Sequence, residues 1–197
     1  MAALARALPA PPVQRPRVLM IGTAFATAGT LMYFVTLLAV YLERRAEALA
    51  SGDVWLPEGV EVPLTQPNVM LFTLIASAVT IQWAVWAISR DDRLNTYLSL
   101  GLTIVFGVAF INMASYLYTI MQFDIGANPQ SVLVYAITGG HLVMLVVAMI
   151  FTGLMAFRAL GGQQSSRQHD GISAAALFWH ANVVVFAVIW YAIYVTK

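Results

Sequence analysis

Long apolar runs separated by short polar punctuation set the pattern of this chain. A helix needs about 20 apolar residues to cross a bilayer. Five runs reach that length, at roughly 17–42, 69–89, 94–121, 130–158 and 172–196. The pattern predicts an all-α membrane protein with five transmembrane helices. Several runs exceed the minimum, which permits tilt without specifying it. The connections are R-D-D-R at 90–93, F-D-I-G-A-N-P at 123–129 and R-A-L-G-G-Q-Q-S-S-R-Q-H-D-G at 158–171. The longest polar segment, 43–68, runs from E-R-R-A-E-A-L-A-S-G-D into a stretch rich in proline and predicts an extended extramembrane loop. Residues 1–16, M-A-A-L-A-R-A-L-P-A-P-P-V-Q-R-P, predict a flexible tail whose prolines oppose helix formation. They do not resemble a signal peptide, because the apolar run that follows is too long and has no small-residue cleavage site. No internal repeat and no second domain is evident, so 17–197 is expected to form one bundle.

Composition supports the membrane reading. The chain of 197 residues is 60% hydrophobic and 10% charged, where a soluble domain has about 25% charged residues. A net charge of +1 gives no case for a nucleic-acid partner. With no cysteine, disulfides, thiolate metal sites and iron–sulfur clusters are excluded. Arginine placement argues orientation. With the N-terminus inside, the inner segments hold Arg6, Arg15, Arg17, Arg90, Arg93, Arg158 and Arg167, and the outer ones hold Arg44, Arg45 and Lys197. Seven against three favours N-terminus inside and C-terminus outside. Tyr41, Trp55, Tyr97 and Tyr194 lie near run ends, where aromatic belts form.

The candidate chemistry inside the membrane is sparse. Glu43, Glu47, Asp53, Glu58, Glu61, Asp91, Asp92, Asp124 and Asp170 all fall in connections or at run ends. Intramembrane ionisable residues are the usual mark of proton relays and ion paths, and here only His141 and His180 qualify. That argues against a carboxylate-based proton channel or an ion-coupled transporter within this chain. Their depths, at about 1.5 Å per residue, are compatible with a shared haem b, for which Gly139 and Gly140 could clear room. The competing reading is a histidine hydrogen-bonded across a helix interface, with Asn182, Gln82, Thr30 or Asn112 as partners. A haem–copper catalytic chain is excluded, because it needs six histidine ligands and there are three histidines. Gly22-x-x-x-Ala26, Ala24-x-x-x-Ala28 and Gly29 predict close helix packing by the first span. Met20, Met32, Met70, Met113, Met144 and Met149 read as lipid-facing or core filler.

The order of these features resembles subunit III of the haem–copper terminal oxidases in its short five-helix bacterial form. The likeness is carried by T-L-M-Y-F-V-T-L-L-A-V-Y-L-E-R (30–44), the proline-rich loop leading into L-F-T-L-I-A-S-A-V-T-I-Q-W-A, S-Y-L-Y (115–118), T-G-G-H (138–141) and F-W-H (178–180). Trp179 and His180 would be the start of the family's final helix. Four family positions depart. The membrane glutamate of the first helix falls on Thr30, the glutamate between two tyrosines on Leu117, a second histidine on Met144, and an aspartate near Val183. The resemblance implies a non-catalytic subunit of an aerobic respiratory oxidase, with no cofactor of its own. Haem and copper would lie on partner subunits. Its partners would be the catalytic subunit I, other oxidase subunits and phospholipids, in the bacterial cytoplasmic membrane. An accessory subunit of a nitric oxide reductase or related complex is the nearest alternative, and a haem-b or quinone membrane anchor using His141 and His180 is a further one.

Overall fold

The computed structural model describes residues 17–55, 63–121 and 129–196. The expected tail over 1–16 lies outside them, as do Glu58, Glu61, Asp124 and Lys197. Five long helices follow one another: α1 (Val18–Ala50), α2 (Thr65–Ile88), α3 (Arg93–Met121), α4 (Pro129–Leu160) and α5 (Asp170–Ile189). α5 continues as a π-helical turn over Trp190–Val195. All five are long and apolar enough to cross a membrane, as the run lengths predicted.

The helix ends follow from local chemistry. Asp92 stands before α3, and its carboxylate accepts from the Asn95 amide at 3.2 Å, satisfying a free first-turn donor. Pro129 opens α4, where a missing N–H costs nothing. Gly162, with φ +71°, closes α4 in the left-handed conformation that glycine adopts without strain. One boundary departs from expectation. Residues 43–50 are not extended loop but the last two turns of α1, because E-R-R-A-E-A-L-A is a run of strong helix formers. Arg44 and Glu47 pair at 3.1 Å along that turn. The helix ends at Ser51 and at Gly52, which has φ +82°.

α5 is the central post, in contact with α1, α2 and α4. Within its apolar stretch 61% of residues are buried, against 22% for α1. Small residues make this possible. Gly171, Ala174, Ala175, Ala176 and Ala181 line α5 and are buried, so neighbouring backbones approach closely. The small residues of α1 behave otherwise. Gly22, Ala24, Ala26, Ala28 and Gly29 are all exposed, and a Cβ added at Gly22 or Gly29 would meet nothing. The packing face of α1 is Thr23, Thr27, Phe34, Leu38 and Tyr41 instead. α2 packs along α3, and α3 along α4.

The aromatic belt is also corrected. Tyr41, Trp55 and Tyr194 are buried within the protein. Trp55 Nε1 donates to the Tyr41 hydroxyl at 3.1 Å. Tyr97 is half-buried and its hydroxyl donates to the Ala159 carbonyl at 3.1 Å.

Candidate functional site

The polar side chains inside the bundle form a seam around α5. Trp179 is fully buried. Its indole N–H crosses to α2 and donates to Ser77 Oγ at 2.8 Å. Ser77 in turn donates to the Leu74 carbonyl at 2.6 Å. Gly107 on α3 clears the space for this indole. A Cβ there would sit 3.2 Å from Trp179 Cη2 and 2.8 Å from Met149 Sδ.

One turn further along α5, His141 of α4 is buried among Phe34, Phe110 and Phe186. Its Nε2 lies 3.1 Å from the Asn182 carbonyl oxygen. A carbonyl only accepts, so Nε2 carries the proton and the neutral ring presents a lone pair at Nδ1. The contact is reciprocated, because Asn182 Nδ2 donates to the Met144 carbonyl at 3.3 Å. The pair clamps α4 to α5. Met144, where the family resemblance expects a second histidine, contributes its backbone here.

His180 points the other way. It is half-buried, and its Nε2 lies 3.1 Å from Gln82 Oε1 on an exposed face of α2. Of the four partners expected for a membrane histidine, Gln82 and Asn182 are found and Thr30 and Asn112 are not. Thr30 donates to its own helix at the Ala26 carbonyl, 2.8 Å away. It also lines an open groove of about 230 Å³ with Tyr33, Gly140 and Phe178. Asn112 is exposed on α3. The shared-haem geometry is not formed. The His141 ring is enclosed by Phe34, Phe110 and Phe186 on the α4–α5 seam, whereas His180 turns to Gln82 on α2, so the two rings do not face one site. Gly139 has open space beside it, and Gly140 lies against Tyr33 at the edge of the groove.

Several polar residues escaped the sequence reading. Tyr118 donates to Thr138 Oγ1 at 2.8 Å, Thr80 and Thr103 pair at 2.8 Å, and Trp190 Nε1 donates to Asn68 Oδ1 at 2.8 Å. Serine and threonine are common in membrane helices and return most bonds to their own backbone, so no spacing marks the few that cross.

Charge lies at the two ends. Arg45 bonds Thr196 at one end. At the other, Arg17 approaches Asp170 at 3.8 Å, and Arg90 stacks on Trp86 with 3.7 Å to the ring centre. There the Asp91 carboxylate receives the Ser166 amide at 2.7 Å and hydroxyl at 2.6 Å. The Ser166 side-chain bond, then the backbone bond, hold its carboxyl below the usual carboxylate range. Among the described residues no three histidine, aspartate or glutamate side chains gather as a metal site.

These features define a class: a multi-pass membrane protein tied by neutral polar bonds through its apolar core, with its ionised groups at the ends. The particular lineage comes from comparison. The model of the cytochrome c oxidase subunit III family matches residues 13–197. "Cytochrome c oxidase subunit 3" of Strongylocentrotus purpuratus is 27% identical over 172 residues, 86% of this chain and 66% of that protein. The protein of the same name from Aedes aegypti is 31% identical over 145 residues, 73% of this chain and 55% of that protein. That of Cyprinus carpio is 30% identical over 176 residues, 86% of this chain and 66% of that protein. The chain thus spans at most about two thirds of the length of these relatives. This chain belongs to the cytochrome c oxidase subunit III family.

Proposed function

We propose that this chain is a non-catalytic subunit of a respiratory cytochrome c oxidase. It packs beside the catalytic subunit I and sustains assembly and lifetime of the complex. One observation carries the reading: the two membrane imidazoles tie helices together at separate places, His141 joining α4 to α5 at Asn182 and His180 joining α5 to α2 at Gln82. What remains inside the apolar spans is neutral, suited to holding helices in place rather than to moving electrons or protons. Haem and copper belong to the partner subunits. The groove beside Thr30 and Gly140 suits a phospholipid chain, because its lining is mostly apolar and it is open at the side of the bundle. The arginine asymmetry supports an inside N-terminus and outside C-terminus in a bacterial cytoplasmic membrane.

His180→Leu is the test. It removes a half-exposed hydrogen bond, not a reacting group. Yield or thermal lifetime of the purified complex should fall, with oxygen reduction per assembled complex unchanged. Normal assembly with oxygen reduction abolished would overturn the non-catalytic reading. Co-purification with a nitric oxide reductase catalytic chain, and no oxidase subunits, would overturn the choice of complex.

A further inference from the structure

Where α3, α4 and the last turn of α5 converge, the interior holds a cavity of about 10 Å³. That is at the lower limit of the room one water molecule requires. Its lining is mostly apolar but includes Tyr118, Thr138, His141 and Tyr194. An apolar cavity of this kind stays dry, whereas one with two to four polar partners holds water. The proton positions of the neighbours decide which applies here.

Thr138 Oγ1 donates its single proton to the Val134 carbonyl at 2.7 Å. The proton between Tyr118 and Thr138, 2.8 Å apart, must therefore be that of Tyr118, which leaves the Tyr118 oxygen with lone pairs to offer. His141 donates through Nε2 to Asn182, so Nδ1 is an acceptor. Tyr194 is 1% exposed, and among the described residues its hydroxyl has no partner, so its proton is undonated. A phenol held this deep loses much of its solvation unless a partner reaches it. The residues that line the cavity therefore carry one free donor and two free acceptors.

We propose that this cavity is a binding site for one structural water. The water accepts from the Tyr194 hydroxyl and donates to His141 Nδ1 and the Tyr118 oxygen. It joins α3, α4 and the end of α5 through a molecule that no side chain replaces, and it fixes the His141 tautomer that clamps α4 to Asn182.

X-ray hydroxyl-radical footprinting reads such a site, because radicals form on the bound water itself. The full chain, in lipid nanodiscs with its copurifying subunits, is mixed briefly into heavy-oxygen water, irradiated and mapped by mass spectrometry. Tyr194 should be oxidised severalfold more than Trp179, which is equally buried but lines neither this cavity nor the groove beside Thr30. The added atom should be ordinary oxygen from the slowly exchanging resident water. Ala114 also lines the cavity, and Ala114→Val should fill it and abolish the label. No oxidation of Tyr194 above Trp179 overturns the proposal. So does heavy oxygen at Tyr194 to the extent found at the exposed Tyr33, which would mean bulk entry. Label persisting in a folded Ala114→Val protein does the same. If that variant fails to fold, the isotope result on the unaltered chain decides.

Discussion

Replacing Trp179 separates packing from hydrogen bonding at the centre of the bundle. Trp179→Phe removes about 40 Å³ of side-chain volume, and at about 24 cal/mol per Å³ the resulting void costs ~1 kcal/mol. The usual solvent-transfer contribution is small here, because the unfolded helices still lie in lipid and lipid is as apolar as the core. The variant also loses the 2.8 Å bond to Ser77. Interhelical bonds in membranes contribute about 0.6 kcal/mol on average and about 1.7 at most. Trp179→Phe should therefore cost roughly 1.5–2.5 kcal/mol, more than Ser77→Ala, which loses only the bond. At the average bond strength packing is the larger share. Unfolding of both single variants and the double variant in mixed micelles, followed by far-ultraviolet circular dichroism against mole fraction of dodecyl sulfate, closes a double-mutant cycle. The expected coupling is about 0.6–1.7 kcal/mol. A coupling of zero would refute the bond. A Trp179→Phe cost less than twice that of Ser77→Ala would refute the ranking of packing over polarity.

Three further outcomes are expected. Gly107→Ala places a Cβ 3.2 Å from the Trp179 ring and should cost about 1–3 kcal/mol by overpacking. Combining it with Trp179→Phe should recover part of that loss in the same unfolding assay, and a purely additive pair would contradict the contact. Thr30→Glu puts a carboxyl on an apolar groove wall and should lower folded yield, because an unpaired buried charge is costly or stays protonated; yield equal to wild type would show that the groove is wet. The Asp91–Ser166 link should weaken in acid. Its folded-state value is depressed, so its stabilisation is complete above the unfolded value of about 3.9 and is lost as pH falls through the folded one. The Ser166 amide resonance should titrate with a midpoint below the ordinary carboxylate value, and Asp91→Asn should abolish the titration. Asn keeps the left-handed backbone that Asp91 adopts at φ 56°.

The candidate site was legible only in part. His141, Trp179, His180 and Asn182 stood out because polar groups in an apolar run are costly and so need partners. Which partner each takes was not legible. His141 bonds a main-chain carbonyl, and any residue supplies one. Ser77 took the indole of a residue 102 positions away, although it sits between Thr73 and Thr80, which bond their own helix in the same way. The small residues of α1 advertise a packing face by their spacing, yet it is α5 whose glycine and alanines are buried.

What the sequence determined by itself is the number and kind of elements and, apart from the end of α1, their approximate extent. Hydrocarbon thickness imposes a length that any span must meet, and propensity carried α1 on to Ala50. It also determined that ionised groups lie at the ends, since charge inside lipid is expensive. What only the tertiary structure decided is the facing of each helix. Phe25 is 76% exposed and Phe110 1%, yet both sit in equally apolar runs. In water a polar face would mark the outside of each helix, but lipid removes that contrast. Rotation is then set by shape: where Gly107 admits Trp179, where alanines let α5 reach the centre, and where the Asn182 carbonyl meets His141.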